Sequence, residues 1–173
     1  MFKRISLLPS RFIGEKIMRD IYEILKNINT NNNIINQKTM THNIMFNITN
    51  LCNLNCTNCS LLCGNRTPFT IKFEDFKKQI LHFSKFIPKI GSITLIGGEP
   101  FLHPYLLEMC EFIFNNIPHI MINIISNGTL CDKISDEELL KYKKYKVHFT
   151  FTIYPKKELI NKIAAFEKRC EQN

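Results

Sequence analysis

The sequence predicts an α/β domain built on a parallel sheet, and three observations predict it. Short apolar runs of strand length alternate with longer stretches of helical periodicity. The strand candidates are apolar almost throughout, as expected of strands covered on both faces in βαβ units. Each of the first three stops at a compact polar or glycine-rich motif, and in parallel sheets chemistry gathers at the carboxyl ends of strands.

The elements follow in order. From Ser10 to Ile28, apolar residues recur at Ile17, Ile21, Ile24, Leu25 and Ile28 while Glu15, Lys16, Arg19 and Asp20 face away. That stripe predicts an amphipathic helix packed on the body of the domain. Asn27 to Asn43 is asparagine-rich without sustained periodicity and reads as a linker, so residues 1–43 form a leading segment and 44–173 the core domain. A first strand, Ile44–Thr49, runs into a cysteine-rich loop. Thr70 is the expected N-cap of a helix striped by Phe73, Phe76, Ile80, Phe83 and Ile87.

The second strand, Ser92–Ile96, is stopped by Gly97-Gly98-Glu99-Pro100, with His103 and Pro104 opening a helix from Tyr105 to Asn115. The third, Ile120–Ile125, ends at Ser126-Asn127-Gly128. Ser135-Asp136-Glu137-Glu138 is a capping box opening another helix, since the serine can accept the Glu138 amide while that carboxylate reaches back. A fourth strand, Val147–Ile153, precedes Pro155 and a last helix from Lys157 to Cys170.

Composition narrows the function classes. With 173 residues, 45% of them hydrophobic, the chain can bury a substantial core. Its formal charge of +8 is concentrated in lysines such as Lys141, Lys143 and Lys144, which read as a solvated helix face. Charge alone does not call for a nucleic-acid partner and suits an anionic small substrate equally. No apolar run is long enough for a membrane span, and the short run after Lys3-Arg4 is no signal peptide. Seven cysteines, odd in number and clustered, predict free thiols in a reducing cytoplasm.

Four of those cysteines lie between Cys52 and Cys63. Cys52, Cys56 and Cys59 have C-x3-C-x2-C spacing, a short loop that can turn three thiolates toward one point and leave a fourth position open. Soft thiolates select iron-sulfur clusters or zinc. With Cys63 counted as a fourth ligand, a closed electron-transfer cluster or a structural zinc remains an alternative. Cys110, Cys131 and Cys170 are scattered and read as small buried hydrophobes.

Taken together, the cysteine triad after one strand, Gly97-Gly98-Glu99-Pro100 after the next and Ser126-Asn127-Gly128 after a third resemble the radical S-adenosylmethionine superfamily. The resemblance covers about Ile44 to Pro155. It implies a partial (β/α) TIM-type barrel of about four units. It also implies a 4Fe-4S cluster on Cys52, Cys56 and Cys59, S-adenosylmethionine at the open iron, and a 5'-deoxyadenosyl radical that abstracts hydrogen from an unidentified substrate. Gly97, Gly98, Glu99 and Pro100 would shape the methionine end of the cofactor site, and Ser126, Asn127 and Thr152 its carboxylate or ribose contacts. A reductant such as flavodoxin or ferredoxin is implied as a partner. Two features depart from the family pattern: Asn58 stands where an aromatic residue is common, and Tyr154 where an acidic one is. Only about four of six β/α units are present, so a non-catalytic remnant, or a subunit completed by another chain, is the competing expectation.

Overall fold

A computed structural model describes residues 2–6, 40–63, 66–86 and 89–172. It contains one five-stranded sheet. In chain order its elements are β1 (Phe2–Ser6), β2 (Met40–Thr49), α1 (Phe73–Phe86), β3 (Lys89–Gly97), α2 (Leu106–Asn116), β4 (His119–Ser126), α3 (Asp136–Lys144), β5 (Val147–Thr152) and α4 (Lys157–Gln172). The strands lie in the order β1-β5-β4-β3-β2. Strands β2 to β5 are mutually parallel and sequential, as a β/α barrel segment requires, and the sheet is open rather than closed. The predicted helix over Ser10 to Ile28 and most of the expected linker lie outside the described residues.

Three differences from expectation have physical reasons. Strand β2 starts at Met40, because backbone pairing with β3 at Lys89 and Ile90 extends beyond the apolar run that marks the strand in the sequence. A strand at Phe2–Ser6, too short to show a period, pairs antiparallel with β5 along the edge where a further barrel strand would add. Thr70 is not the helix cap: its hydroxyl is spent on Thr49 Oγ1 at 2.9 Å, and α1 begins at Phe73 with the Lys72 carbonyl accepting from Asp75 and Phe76.

The two faces of the sheet differ more than the apolar sequence suggests. Phe46, Ile48, Ile93, Leu95, Ile122, Ile124, Phe149 and Phe151 alternate onto one face and are buried. Helix residues including Phe76, Met109, Ile113, Leu139 and Phe166 join them in a single core. Phe149 meets Tyr142 and Phe166 edge-on, with ring centroids 5.3 and 5.4 Å apart. The opposite face carries a polar ladder instead. Asn43 Oδ1 accepts from Ser92 and Thr94 hydroxyls, both at 2.9 Å, and Thr150 donates to Asn123 Oδ1. The predicted capping box is present at Ser135 and Glu138, which fixes the start of α3.

Candidate active site

The carboxyl ends of β2, β3, β4 and β5 surround a cleft of about 600 Å³. Cys52, Cys56 and Cys59 line it, with Gly97 and Gly98 from β3 and its end, Ser126 and Asn127 from the end of β4, and Thr152 from the end of β5. Glu99 and Pro100 are buried beneath these residues rather than lining the cleft.

The cysteine loop is clamped at its base. Asn50 bridges to the returning limb through its amide, donating to the Thr67 carbonyl at 2.7 Å and accepting from the Phe69 N–H at 2.6 Å. The Ile71 N–H donates to the Ile48 carbonyl, so strand and return limb are stitched together around the loop. Within it, Cys59 N–H donates to the Cys56 carbonyl and Leu62 N–H to the Cys59 carbonyl, making two successive turns. Leu62 takes a left-handed φ of 53°, an uncommon conformation for a residue with a Cβ.

The four loop thiols are half-buried and free. Backbone N–H donors, that of Cys63 foremost, hold the Cys59 thiol below its ordinary range, whereas burial and the neighbouring Cys59 push Cys63 up to about 11. Asn127 Nδ2 lies 3.7 Å from Cys52 Sγ, and the Tyr154 hydroxyl 3.5 Å from Cys56 Sγ. Contact with Cys56 raises the Tyr154 pKa, so the phenol keeps its proton. Among the described residues, no three His, Cys, Asp or Glu side chains are grouped to hold one metal ion.

Behind the cleft the strand ends are locked together. An added Cβ on Gly97 would fall 2.3 Å from the Thr49 carbonyl oxygen, and one on Gly98 2.2 Å from that of Leu51. The paired glycines thus let the end of β3 lie directly on the backbone that leads into the cysteine loop. Gly98 N–H and Glu99 N–H donate to the Thr49 and Leu51 carbonyls at 2.8 and 2.7 Å. The Glu99 carboxylate, fully buried, accepts from Ser126 Oγ, Asn127 N–H and Phe101 N–H. Burial pushes its pKa above the usual carboxylate range against the pull of those three donors.

Asn127 is committed as well. Its Oδ1 accepts from the Thr129 N–H and hydroxyl, and its Nδ2 donates to Asn53 Oδ1 at 3.0 Å. Asn53 in turn donates to Thr129 Oγ1, so this small network ties the loop to the end of β4. Sequence reasoning missed Asn53 and Thr129, which carry no motif, and treated Tyr154 only as a departure. Its place two residues past β5 was the available signal. His103 does help open α2: its Nδ1 accepts from Tyr105 N–H, and Nε2 then donates to the Ile71 carbonyl.

Thiol loop, glycine turn and polar strand ends gather at one end of an open parallel α/β sheet, the arrangement of a partial β/α barrel with its candidate site at the strand carboxyl ends. The Radical SAM superfamily model matches residues 46–171, and the chain belongs to that superfamily. It is 31% identical over 111 residues to the antilisterial bacteriocin subtilosin biosynthesis protein AlbA of Bacillus subtilis (strain 168), a match spanning 63% of this chain and 23% of AlbA. Over 107 residues it is 28% identical to a 7,8-dihydro-6-hydroxymethylpterin dimethyltransferase of Methanocaldococcus jannaschii, covering 61% of this chain and 21% of that protein. The matches thus span under a quarter of each relative. Radical SAM proteins generally use a 4Fe-4S cluster and S-adenosylmethionine. No helix among the described residues is long and apolar enough to cross a membrane.

Proposed function

We propose that Cys52, Cys56 and Cys59 hold a 4Fe-4S cluster through three of its irons, and that S-adenosylmethionine occupies the cleft beside the fourth. The observation that carries this reading is the single cleft shared by the three thiols and by Gly97, Gly98, Ser126, Asn127 and Thr152. The donor set fits the cluster. Three thiols facing one cleft suit a centre that takes one thiolate per iron, and soft thiolates are the donors such a cluster uses.

When bound, the cluster supplies one electron that breaks a sulfonium carbon–sulfur bond of S-adenosylmethionine, giving methionine and a 5'-deoxyadenosyl radical for hydrogen abstraction. The chain's own residues bind and orient. The loop clamp at Asn50 and the Asn53–Asn127–Thr129 network hold the thiols at the sheet end. Gly98, half-buried on the cleft, offers a surface without a side chain for the methionine end of the cofactor. Glu99 and Pro100 act from below, Glu99 by fixing Ser126 and Asn127 where they reach the cofactor. Thr152 faces the ribose, and Asn58, exposed on the rim, leaves the adenine to other contacts.

The relatives' names concern a bacteriocin and a pterin, which are different substrates, so the proposal stops at radical generation and assigns no substrate. A reductant such as flavodoxin or ferredoxin supplies the electron, and the seven free cysteines suit a reducing cytoplasm.

Anaerobic reconstitution with iron and sulfide, then dithionite and S-adenosylmethionine, tests this by the appearance of 5'-deoxyadenosine. Product is expected from the wild type and absent from Cys56→Ala. A second reading, a chain that holds the cluster without turnover, is favoured by the open sheet, and a loaded cluster with no product would support it.

A further inference from the structure

Tyr154 stands where the sequence departs from its family, and its surroundings give it a specific task. Its hydroxyl lies 3.5 Å from Cys56 Sγ, within hydrogen-bonding range for sulfur. The ring packs against the core, and the backbone is held by Lys156 N–H donating to the Tyr154 carbonyl at 2.8 Å. Tyr154 and Cys56 together also line a second cleft of about 350 Å³, bordered by Lys156 and Lys162. The pair lines both that cleft and the main one, together with Leu54.

Resting on the cluster reading above, we propose that Tyr154 is a positioning residue that donates a hydrogen bond to the Cys56 sulfur and raises the reduction potential of the cluster. A ligating thiolate has no proton to give, so the phenol must be the donor. Reduction adds negative charge that the cluster shares with its sulfurs, and a donor aimed at a sulfur stabilises that state more than the oxidised one. Cys52 receives donors from Asn127 and the Leu54 amide, and Cys59 from loop amides and the Cys63 thiol, so no single deletion isolates the effect at either sulfur. At Cys56 a single oxygen atom carries the effect.

Tyr154→Phe removes that atom and keeps the ring. Iron and sulfide content of the reconstituted full chain would be measured first, followed by an EPR-monitored redox titration. The proposal expects wild-type loading with the midpoint shifted to more negative potential, so that less of the cluster is reduced at any fixed potential. Equal loading with an unchanged or more positive midpoint overturns it. Reduced loading with an unchanged midpoint in the loaded fraction also overturns it, because ring packing rather than the hydroxyl would then be the contribution. A wild type that never acquires a cluster overturns the cluster reading and this inference together, whereas a loaded wild type separates the two.

Discussion

The cysteine loop and the pair of turns at Gly97–Pro100 and Ser126–Gly128 share one end of the sheet but spend their side chains differently. In the turns, polar groups are committed inward: Glu99 is sealed from solvent with three donors on its carboxylate, and Ser126 Oγ both donates to Glu99 and accepts from Gly128 N–H. In the loop, three thiols stay half-exposed on the cleft. Among the described residues no buried side-chain nitrogen or oxygen lacks a partner, so the frame is complete without a ligand. The difference separates turns whose polar groups hold the strand ends together from a loop whose thiols remain accessible on the cleft.

Breaking the frame should cost stability first. Glu99→Ala strands two buried donors and a part-buried one at once, and at about 1 kcal/mol for each the loss is about 3 kcal/mol, readable by urea denaturation of the unloaded chain. Its pH dependence sharpens the assignment. Because the folded state holds the Glu99 proton more tightly than the unfolded chain does, the contribution is full below about 4.5 and is lost as pH rises through the raised folded value. The wild type should show that downward slope above pH 4.5 and the alanine variant should lack it.

A smaller effect is expected where the frame meets the loop. Gly98→Ala drives a methyl toward the Leu51 carbonyl, and the backbone must move to admit it. The expected loss is about 1–3 kcal/mol, accompanied by a fall in iron loading that Glu99→Ala at matched stability should not equal. If Gly98→Ala changes neither stability nor loading, the close approach of β3 to the cysteine loop is wrong.

Much of this was legible in the sequence, and the exceptions share a cause. The four parallel strands, the helices between them and the Ser135 capping box follow from period and cap chemistry. The cysteine spacing located the loop. What periodicity cannot carry is pairing between distant residues: β1 on the free edge of β5, Thr70 spent on Thr49, and Asn53 reaching Asn127 and Thr129 across the site. Glycine presents the same difficulty. Gly97 and Gly98 read as room for a cofactor, yet much of that room is filled by the backbone of residues 49–51. Apolar strands likewise suggested two covered faces, while Asn43, Asn123 and Thr150 mark one face as polar.

The central claim is that three thiolates of this loop leave one iron open to S-adenosylmethionine. The EPR spectrum of the reduced, reconstituted chain, recorded with and without S-adenosylmethionine, tests it most directly. A cluster signal that changes on addition of the cofactor, and that is lost in Cys52→Ala but kept in Cys63→Ala, is the predicted result. A signal indifferent to S-adenosylmethionine and lost in Cys63→Ala would mean that four cysteines close the cluster, contradicting the account.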